Sequence, residues 1–186
     1  MKTVYLLTGR PGTGKTSLIK QAVAALKGRA GGFYTEEIRA GGARFGFKLV
    51  TLDGDEAVLA HVDFHGQHRV GKYGVDIAGL ERVGVPALTE AIGQRHVTVI
   101  DEIGKMELFS SRFREVVLEA LKSGRPVLGA IMLSPHPWAD DIKRQPQVRL
   151  VEVTRANHYR VLADIKSWLG DRINGDTVSR VDSGTA

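Results

Sequence analysis

Apolar residues in this chain follow two alternating patterns: short continuous runs, and longer stretches with a helical period. The continuous runs are rich in β-branched residues, are typical of buried strands in a parallel sheet, and cover residues 3–8, 97–100, 127–133 and 148–153. Between them, apolar residues recur every three or four positions, as they do along one face of a helix. Strands that alternate with helices predict an α/β fold, in which a mostly parallel sheet is flanked by helices.

Four helices are predicted from this period and from the residues that begin and end helices. They are a helix that ends at Gly28, one over residues 80–95, one around the apolar positions from Phe113 to Leu121, and one over residues 159–169. Ser110 or Ser111 can cap the third helix by accepting a hydrogen bond from its first free amides. Residues 171–186 are polar, so we expect a loosely held tail there.

Short β-forming runs separated by turn residues occupy the segment between residues 32 and 62. The runs cover residues 33–38, 43–52 and 57–62, and glycine-rich turns lie between them. This pattern predicts an antiparallel hairpin insertion into a single domain over residues 1–170. Residues 67–79 contain glycines and basic residues, and we expect a loop there.

Composition narrows the class of protein. The 186 residues are 42% hydrophobic and include no cysteine, which excludes a disulfide scaffold and thiolate chemistry and fits a reducing compartment, so a cytoplasmic location is expected. No apolar run approaches the length of a membrane span, so we expect no membrane association. Lysine and arginine exceed aspartate and glutamate by five, which favours anionic partners such as nucleotides or nucleic acid. The sequence leaves the oligomeric state open, and a monomer is expected.

The first turn after the first strand matches the phosphate-loop pattern, also called Walker A, in which a glycine and four free positions precede Gly-Lys-Thr. In such a loop, backbone amides converge on phosphate oxygens and the following helix adds the positive end of its dipole. The lysine contacts the terminal phosphates, and the threonine hydroxyl binds Mg²⁺. The predicted nucleotide-binding residues are Gly9, Arg10, Pro11, Gly12, Thr13, Gly14, Lys15 and Thr16, with Lys15 also catalytic and Thr16 also a metal ligand.

Two acidic residues follow the strand over residues 97–100. Asp101 lies where a phosphate-loop site needs a carboxylate for Mg²⁺, and we predict that it is the second metal ligand beside Thr16. Glu102 comes next, and a carboxylate there can take a proton from the water that attacks the γ-phosphate. The alternative is a pair of acids that caps the next segment.

The segment from Asp101 to Gly104 also fits the Asp-x-x-Gly pattern of nucleotide-dependent switches, in which the glycine amide senses the γ-phosphate. However, the chain has no Asn-Lys-x-Asp stretch that would recognise guanine. The glutamate at position 102 is more typical of the ATPase-like branch of phosphate-loop proteins. We therefore favour an enzyme over a switch.

Several stretches together resemble a nucleoside-triphosphatase family of P-loop proteins, the one that includes thermophile and cancer-related nucleoside-triphosphatases. The resemblance covers about residues 2–169, and its most specific parts are Phe-Tyr-Thr-Glu-Glu and Asp-Glu-Ile-Gly-Lys-Met-Glu. The stretches that carry it are residues 9–16, 31–37, 69–76, 101–108, 141–144 and 153–154.

This resemblance implies a RecA-like core and Mg²⁺-dependent hydrolysis of several nucleoside triphosphates to diphosphate and phosphate, with little selectivity for the base. It also implies that nucleotide binding extends along the second motif, over Ile100, Asp101, Glu102, Ile103, Gly104, Lys105, Met106 and Glu107. One departure lies at Asn157-His158-Tyr159, where relatives commonly have an arginine after the asparagine. If that arginine contacts nucleotide in relatives, Arg155 or Arg160 would have to replace it here.

Further candidates come from loops and strand ends. Lys72 and Tyr73 lie between glycines and could reach a phosphate and a base, respectively. Lys105 and Arg144 are alternative sources of positive charge for the transition state. Glu36 and Glu37 are either additional carboxylates near Mg²⁺ or charges on an edge strand.

Two other classes of function stay open at this point. A small kinase, which transfers the phosphoryl group to a nucleotide, a nucleoside or a nucleic-acid end, uses the same loop, and the absence of an arginine-rich lid after residue 101 favours hydrolysis only slightly. A nucleotide-dependent RNA-binding module is suggested by the basic balance, but the chain has neither an RNP-like aromatic motif nor a continuous basic stripe.

Overall fold

A computed structural model describes the backbone of residues 2–178 and the side chains of residues 2–173. In this part of the chain, nine strands form one sheet in the order β5-β6-β4-β3-β2-β7-β8-β1-β9. The strands are β1 (Val4–Thr8), β2 (Ala30–Ala40), β3 (Ala43–Thr51), β4 (Glu56–His61), β5 (Arg69–Val70), β6 (Tyr73–Val75), β7 (Val97–Ile103), β8 (Val127–Ile131) and β9 (Val148–Glu152).

The strands β2, β7, β8, β1 and β9 run parallel, and β3 to β6 extend the sheet beyond β2 in antiparallel fashion. The strand β8 separates β1 from β7, so the two strands that carry the predicted motifs are not neighbours. The described helices are α1 (Lys15–Val23), α2 (Ile77–Gly79), α3 (Val85–Gln94), α4 (Ser111–Lys122), α5 (Pro137–Lys143) and α6 (His158–Val178). The α/β fold with a mostly parallel, RecA-like core is therefore confirmed.

Helices cover both faces of the parallel strands because the strand residues are apolar on both sides. Along β1, Leu6 faces the layer that contains Phe113 of α4, whereas Tyr5 and Leu7 face the layer that contains Trp168 of α6. The Tyr5 ring lies 5.4 Å from the Trp168 ring, and its hydroxyl donates a hydrogen bond of 2.6 Å to Asp164. These two layers fix β1, and with it the start of the phosphate loop.

The antiparallel strands predicted between residues 32 and 62 are present, and they extend further than the sequence indicated. The strand β2 begins at Ala30 and pairs in parallel with β7 through its first half and with β3 over most of its length. The second half of β2 projects beyond the parallel sheet together with β3. The hairpin is therefore anchored in the core at one end and stands beside the phosphate loop at the other.

The segment over residues 67–79, where a loop was expected, contains regular structure, and so does the connection between β8 and β9. Residues 67–79 hold β5, β6 and α2, because Val70 and Tyr73 pack on the hairpin and pair with each other. Residues 134–146 hold α5, which buries Ala139 and Ile142. The predicted helix over residues 80–95 is helical from Ile77 to Gln94 and includes a π-type segment from Leu80 to Gly84.

The last helix is longer than the sequence predicted. The expectation of a loosely held tail is wrong for residues 171–178, which belong to α6. Ile173 is buried against the core, and Arg172 donates a hydrogen bond of 2.6 Å to the Lys2 carbonyl. The rest of the expected tail, residues 179–186, lies outside the described residues. No helix over residues 2–178 is long and apolar enough to cross a membrane.

Candidate active site

The phosphate loop connects the buried β1 to the start of α1. Its backbone needs glycine at two positions in particular. Gly9 has φ of 143°, and a Cβ there would lie 2.6 Å from the Val153 carbonyl. Gly14 has φ of 86°, and a Cβ there would lie 2.6 Å from the His158 ring. The loop is therefore packed closely against the segment that joins β9 to α6.

Lys15, the first residue of α1, is 9% exposed and bends back over the loop. Its ammonium group donates to the carbonyls of Gly9 at 3.1 Å and Arg10 at 3.4 Å. Among the described residues, no side chain caps the first turn of α1. The buried ammonium group and the free amides of the helix start thus form a cationic cradle that suits phosphate.

Asp101 lies near the end of β7, where the pairing with β8 shifts register between Ile100 and Ile103. Its carboxyl group is 1% exposed, and neither oxygen has a hydrogen bond of ordinary geometry within the described part of the chain. Burial raises the pKa of Asp101 to about 7; the nearby Thr16 hydroxyl opposes this rise and the charge of Glu102 adds to it. A buried carboxylate without partners beside a hydroxyl fits the oxygen ligands that Mg²⁺ prefers.

Two further carboxyl groups lie close to Asp101. Burial raises the pKa of Glu102, and the Lys15 ammonium group opposes the rise. Glu107 is 4% exposed and accepts a hydrogen bond of 3.2 Å from the Gly104 amide. Burial and then the charge of Glu102 raise the pKa of Glu107 to about 8. This part of the site therefore favours cations and protonated carboxyl groups.

A cleft of about 920 Å³ extends from the phosphate loop to the β2–β3 hairpin. The segments that follow β7 and β8 also line it. The lining residues are Gly9, Pro11, Gly12, Gly14, Lys15, Thr16, Thr35, Glu36, Glu37, Arg44, Phe47, Leu59, Val70, Glu102, Gly104, Lys105, Met106, Glu107, Met132, Leu133 and Ser134. Most of the predicted nucleotide-binding residues thus meet in one cleft.

Other predicted residues lie elsewhere. Ile100 and Ile103, predicted as part of the nucleotide-binding stretch, are fully buried in the core, and their side chains do not line the cleft. The expectation that Tyr73 stacks on a base also needs correction, because this ring is 7% exposed, packs on Phe47 and holds its hydroxyl against Arg44. Arg144 is exposed, pairs with Asp141 and is not among the residues that line the cleft.

The structure also shows where Lys72, Glu36 and Glu37 lie. Lys72 is exposed and lies outside the cleft lining, 5.4 Å from the Tyr73 ring. Glu36 and Glu37 both line the cleft, and each pairs with two basic side chains: Glu36 with Lys20 and Lys48, and Glu37 with Arg39 and Arg44. These cations lower the pKa of both carboxyl groups, which stay charged in the cleft wall.

Sequence reasoning missed the residues that the hairpin brings to the cleft, above all Arg44 and Phe47. Their runs predicted strands, but no local signal indicated that this hairpin would face the phosphate loop. It also missed His158, whose Nε2 atom lies 3.4 Å from the Gly14 carbonyl oxygen. The departure from the family at positions 157–159 marked this segment, although not its contact with the loop.

The core is a parallel α/β sheet with a glycine-rich loop at the end of β1. A lysine begins the next helix, and a buried aspartate lies at the end of a second strand. These features together define the class of P-loop nucleotide-binding proteins. The NTPase family model matches residues 4–166. The chain therefore belongs to the NTPase family.

Relatives and solved structures agree with this assignment. The chain is 48% identical over 160 residues to the nucleoside-triphosphatase THEP1 of Thermotoga petrophila, covering 86% of this chain and 89% of that protein. It is 42% identical over 176 residues to the human cancer-related nucleoside-triphosphatase, covering 86% and 92%. The crystal structure of THEP1 from Aquifex aeolicus superposes with a TM-score of 0.82 at 39% identity, covering 89% and 98%. The solution structure of a human cancer-related nucleoside triphosphatase gives 0.75 at 39% identity, covering all of both chains.

Proposed function

We propose that the protein hydrolyses nucleoside triphosphates to the diphosphate and inorganic phosphate, with Mg²⁺ and with little selectivity for the base. The observation that carries this proposal is the buried Asp101 carboxyl group, whose oxygens have no hydrogen bond of ordinary geometry in the described chain and which lies beside Thr16 and Lys15 at the phosphate loop. The names of the relatives, all nucleoside-triphosphatases, support the same reaction.

In this proposal, each residue has a separate task. The amides of the loop and the Lys15 ammonium group hold the β- and γ-phosphates. Thr16 and Asp101 would hold Mg²⁺, which neutralises charge on the phosphates when it is bound. Glu102 faces the cleft beside Lys15 and takes the proton of the attacking water. Burial helps, because a glutamate with a raised pKa is a better base near neutral pH.

Two features support the proposed breadth of substrates: the chain lacks a motif for one particular base, and the loop after β9 uses its amide side chain for internal hydrogen bonds. The sequence contains no Asn-Lys-x-Asp stretch for guanine. Beside the phosphate loop, Asn157 uses its side chain to accept from the Thr154 amide at 2.9 Å and to donate to the Glu152 carbonyl at 2.8 Å. These two hydrogen bonds engage the Asn157 amide group within its own loop. We therefore assign this group no role in recognising the edge of a base.

Phosphate release from ATP, GTP, CTP and UTP tests the proposal, with Mg²⁺ and with the metal removed by EDTA. We expect release from all four nucleotides, its loss in EDTA, and its loss in Lys15→Ala. Lys122→Ala is the matched control, since this lysine is exposed on α4, away from the cleft. Release that persists in EDTA would contradict the role given to Mg²⁺, and release from one nucleotide alone would contradict the broad selectivity.

A further inference from the structure

We propose that Lys105 is a second catalytic cation, whose ammonium group contacts the γ-phosphoryl group in the transition state of hydrolysis. This inference rests on the proposed function, because it takes the γ-phosphate to lie between the phosphate loop and Glu102. It goes beyond that function by assigning to Lys105 a charge that speeds the chemical step. Three features carry it: the position of Lys105 in the cleft, its fixed backbone and its unpaired side chain.

The reaction needs positive charge on more than one side of the γ-phosphate. Transfer of the γ-phosphoryl group spreads negative charge over its equatorial oxygens, and an arginine that contacts these oxygens speeds such reactions by roughly 10³ to 10⁵. Lys15 approaches the phosphates from the loop, because its ammonium group donates to the carbonyls of Gly9 and Arg10. A cation on the outer side of the γ-phosphate therefore has to come from another segment of the cleft.

The order of the strands places Lys105 on that outer side. Along the sheet, β2, β7, β8 and β1 follow one another, and the segments at their carboxyl ends all line the cleft. The segment after β7 thus lies between the phosphate loop and the β2–β3 hairpin. Lys105 is in this segment, three residues after Glu102, and both residues line the cleft. Its side chain is therefore placed to approach the γ-phosphate from the side of the attacking water.

The backbone that carries Lys105 is held on both sides. The Gly104 carbonyl accepts a hydrogen bond of 3.1 Å from the Leu108 amide, which closes the turn that contains Lys105. A Cβ at Gly104 would lie 3.0 Å from Oε1 of Glu102, so this carboxyl group lies against the residue directly before Lys105. Met106, the residue after it, packs against the hydrophobic core. The start of the Lys105 side chain is therefore fixed beside the proposed base.

The side chain of Lys105, in contrast, has no partner in the described part of the chain. It is exposed, and its ammonium group makes neither an ion pair nor a hydrogen bond within residues 2–173. The carboxyl groups of Glu102 and Glu107 line the same cleft, yet neither pairs with it. An ammonium group has three donors and no acceptor, so an anion suits it as a partner. A bound triphosphate supplies that anion.

Other basic residues are already engaged or lie outside the cleft. The described lining contains three basic residues, Lys15, Arg44 and Lys105. Arg44 donates to Glu37 at 2.7 Å and to the Tyr73 hydroxyl at 3.0 Å. Arg144, the other cation that the sequence suggested, pairs with Asp141 and is not part of the lining. Lys105 is therefore the cation that a γ-phosphoryl group can recruit without breaking an existing ion pair.

The contact acts on the transition state more than on the bound substrate. The water oxygen forms a bond to the γ-phosphorus as the bond from that phosphorus to the β–γ bridging oxygen breaks. The electron pair of the broken bond leaves with the nucleoside diphosphate, and a water proton passes to Glu102. Lys105 keeps its proton and contacts the equatorial oxygens. Because this contact is strongest in the transition state, it raises kcat and leaves KM nearly unchanged.

Phosphate release from ATP with Mg²⁺ tests this assignment in the full chain. We expect Lys105→Ala to lower kcat about 100-fold or more and to leave KM within about threefold of the original value. Lys105→Arg, which keeps the charge, should retain kcat within about tenfold. Lys166→Ala is the matched control and should keep the original rate. Lys166 is also exposed and unpaired in the described chain, but it lies on α6, outside the cleft lining.

Affinity for a transition-state analogue separates catalysis from ordinary phosphate binding. ADP with Mg²⁺ and aluminium fluoride resembles the γ-phosphoryl group during transfer, whereas a non-hydrolysable ATP analogue resembles the bound substrate. Calorimetry measures both affinities. We expect Lys105→Ala to weaken binding of the first ligand about tenfold or more and to keep binding of the second within about threefold. A merely structural role of Lys105 would not produce this difference.

The outcomes separate this inference from the proposed function. Hydrolysis that persists at the original rate in Lys105→Ala overturns the inference and leaves the proposed function intact. An equal loss of affinity for both ligands, or an unchanged affinity for the transition-state analogue, also overturns it. A loss of kcat in Lys105→Arg as large as that in Lys105→Ala overturns the role of the charge. Absence of phosphate release from the original protein overturns both proposals.

Discussion

At the scale of single residues, the site concentrates carboxyl groups where water is excluded. Asp101, Glu102 and Glu107 lie close together, and burial is the first cause of the raised pKa of each. The Lys15 ammonium group opposes the rise at the first two, which links the phosphate loop electrostatically to the end of β7. Such an arrangement is unfavourable for the protein alone and favourable once a cation is bound.

A substitution at Glu107 can measure the free-energy cost of burying a charged carboxyl group in this site. In the folded protein its pKa is raised to about 8 from 4.5, so the folded state keeps a proton that the unfolded chain has already lost. Its contribution to stability is complete below pH 4.5 and is lost as the pH rises through 8. We expect Glu107→Gln, which is neutral throughout and can still accept from the Gly104 amide, to lose less stability between pH 5 and 8 than the original protein. The difference should be on the order of a few kcal/mol.

Urea unfolding at a series of pH values without nucleotide measures this difference. Glu119→Gln is the control, because Glu119 is exposed on α4. Parallel pH profiles for Glu107→Gln and the original protein would show that Glu107 is charged in the folded state and would contradict the account of its burial.

At the scale of elements, caps and turns that depend on nearby residues could be predicted, and contacts between distant elements could not. The start of α4 is a local feature: Ser110 accepts from the Phe113 amide at 3.0 Å, as one of the two predicted caps. The hairpin strands were predicted for the same reason. Their approach to the phosphate loop depends instead on pairing between β2 and β7, which are about 60 residues apart, and a sequence pattern does not specify such a pairing.

The cap of α4 gives a prediction with an internal control. Ser110 is 1% exposed, accepts from Phe113 and donates to Glu81 at 2.7 Å. We expect Ser110→Ala to lower the free energy of unfolding by about 1 kcal/mol or more, since it removes the cap and the buried bond to Glu81. Ser111→Ala, at the neighbouring exposed serine, should leave stability nearly unchanged. Equal effects of the two substitutions in chemical denaturation would contradict the assigned cap.

At the scale of the whole molecule, the topology explains why both motifs meet although about 85 residues separate them along the chain. The carboxyl ends of parallel strands lie at one edge of the sheet, so the loop after β1 and the acidic end of β7 share that edge even with β8 between them. This rule made the core of the site predictable from the sequence. The cleft was not predictable, because Arg44, Phe47 and Leu133 reach it from three-dimensional packing and carry no motif.

The last helix is a second case in which contacts between distant residues could not be predicted from the local sequence. Ile173 and Arg172 have little amphipathic context, and their partners, including the Lys2 carbonyl, lie near the opposite end of the sequence. Polar composition after residue 170 therefore indicated a tail where tertiary contacts extend a helix. Local patterns predicted the strands and loops of the site, and long-range contacts determined its walls.

The central claim is that Glu102 activates the attacking group while the loop and the metal ligands bind the nucleotide. Glu102→Gln tests it most directly, because the amide keeps the size of the side chain and cannot take a proton. We expect turnover at saturating ATP and Mg²⁺ to fall about 100-fold or more, while nucleotide affinity, measured by calorimetry, stays within about threefold. Glu119→Gln should keep full activity. Phosphate release by Glu102→Gln at the original rate would contradict the account.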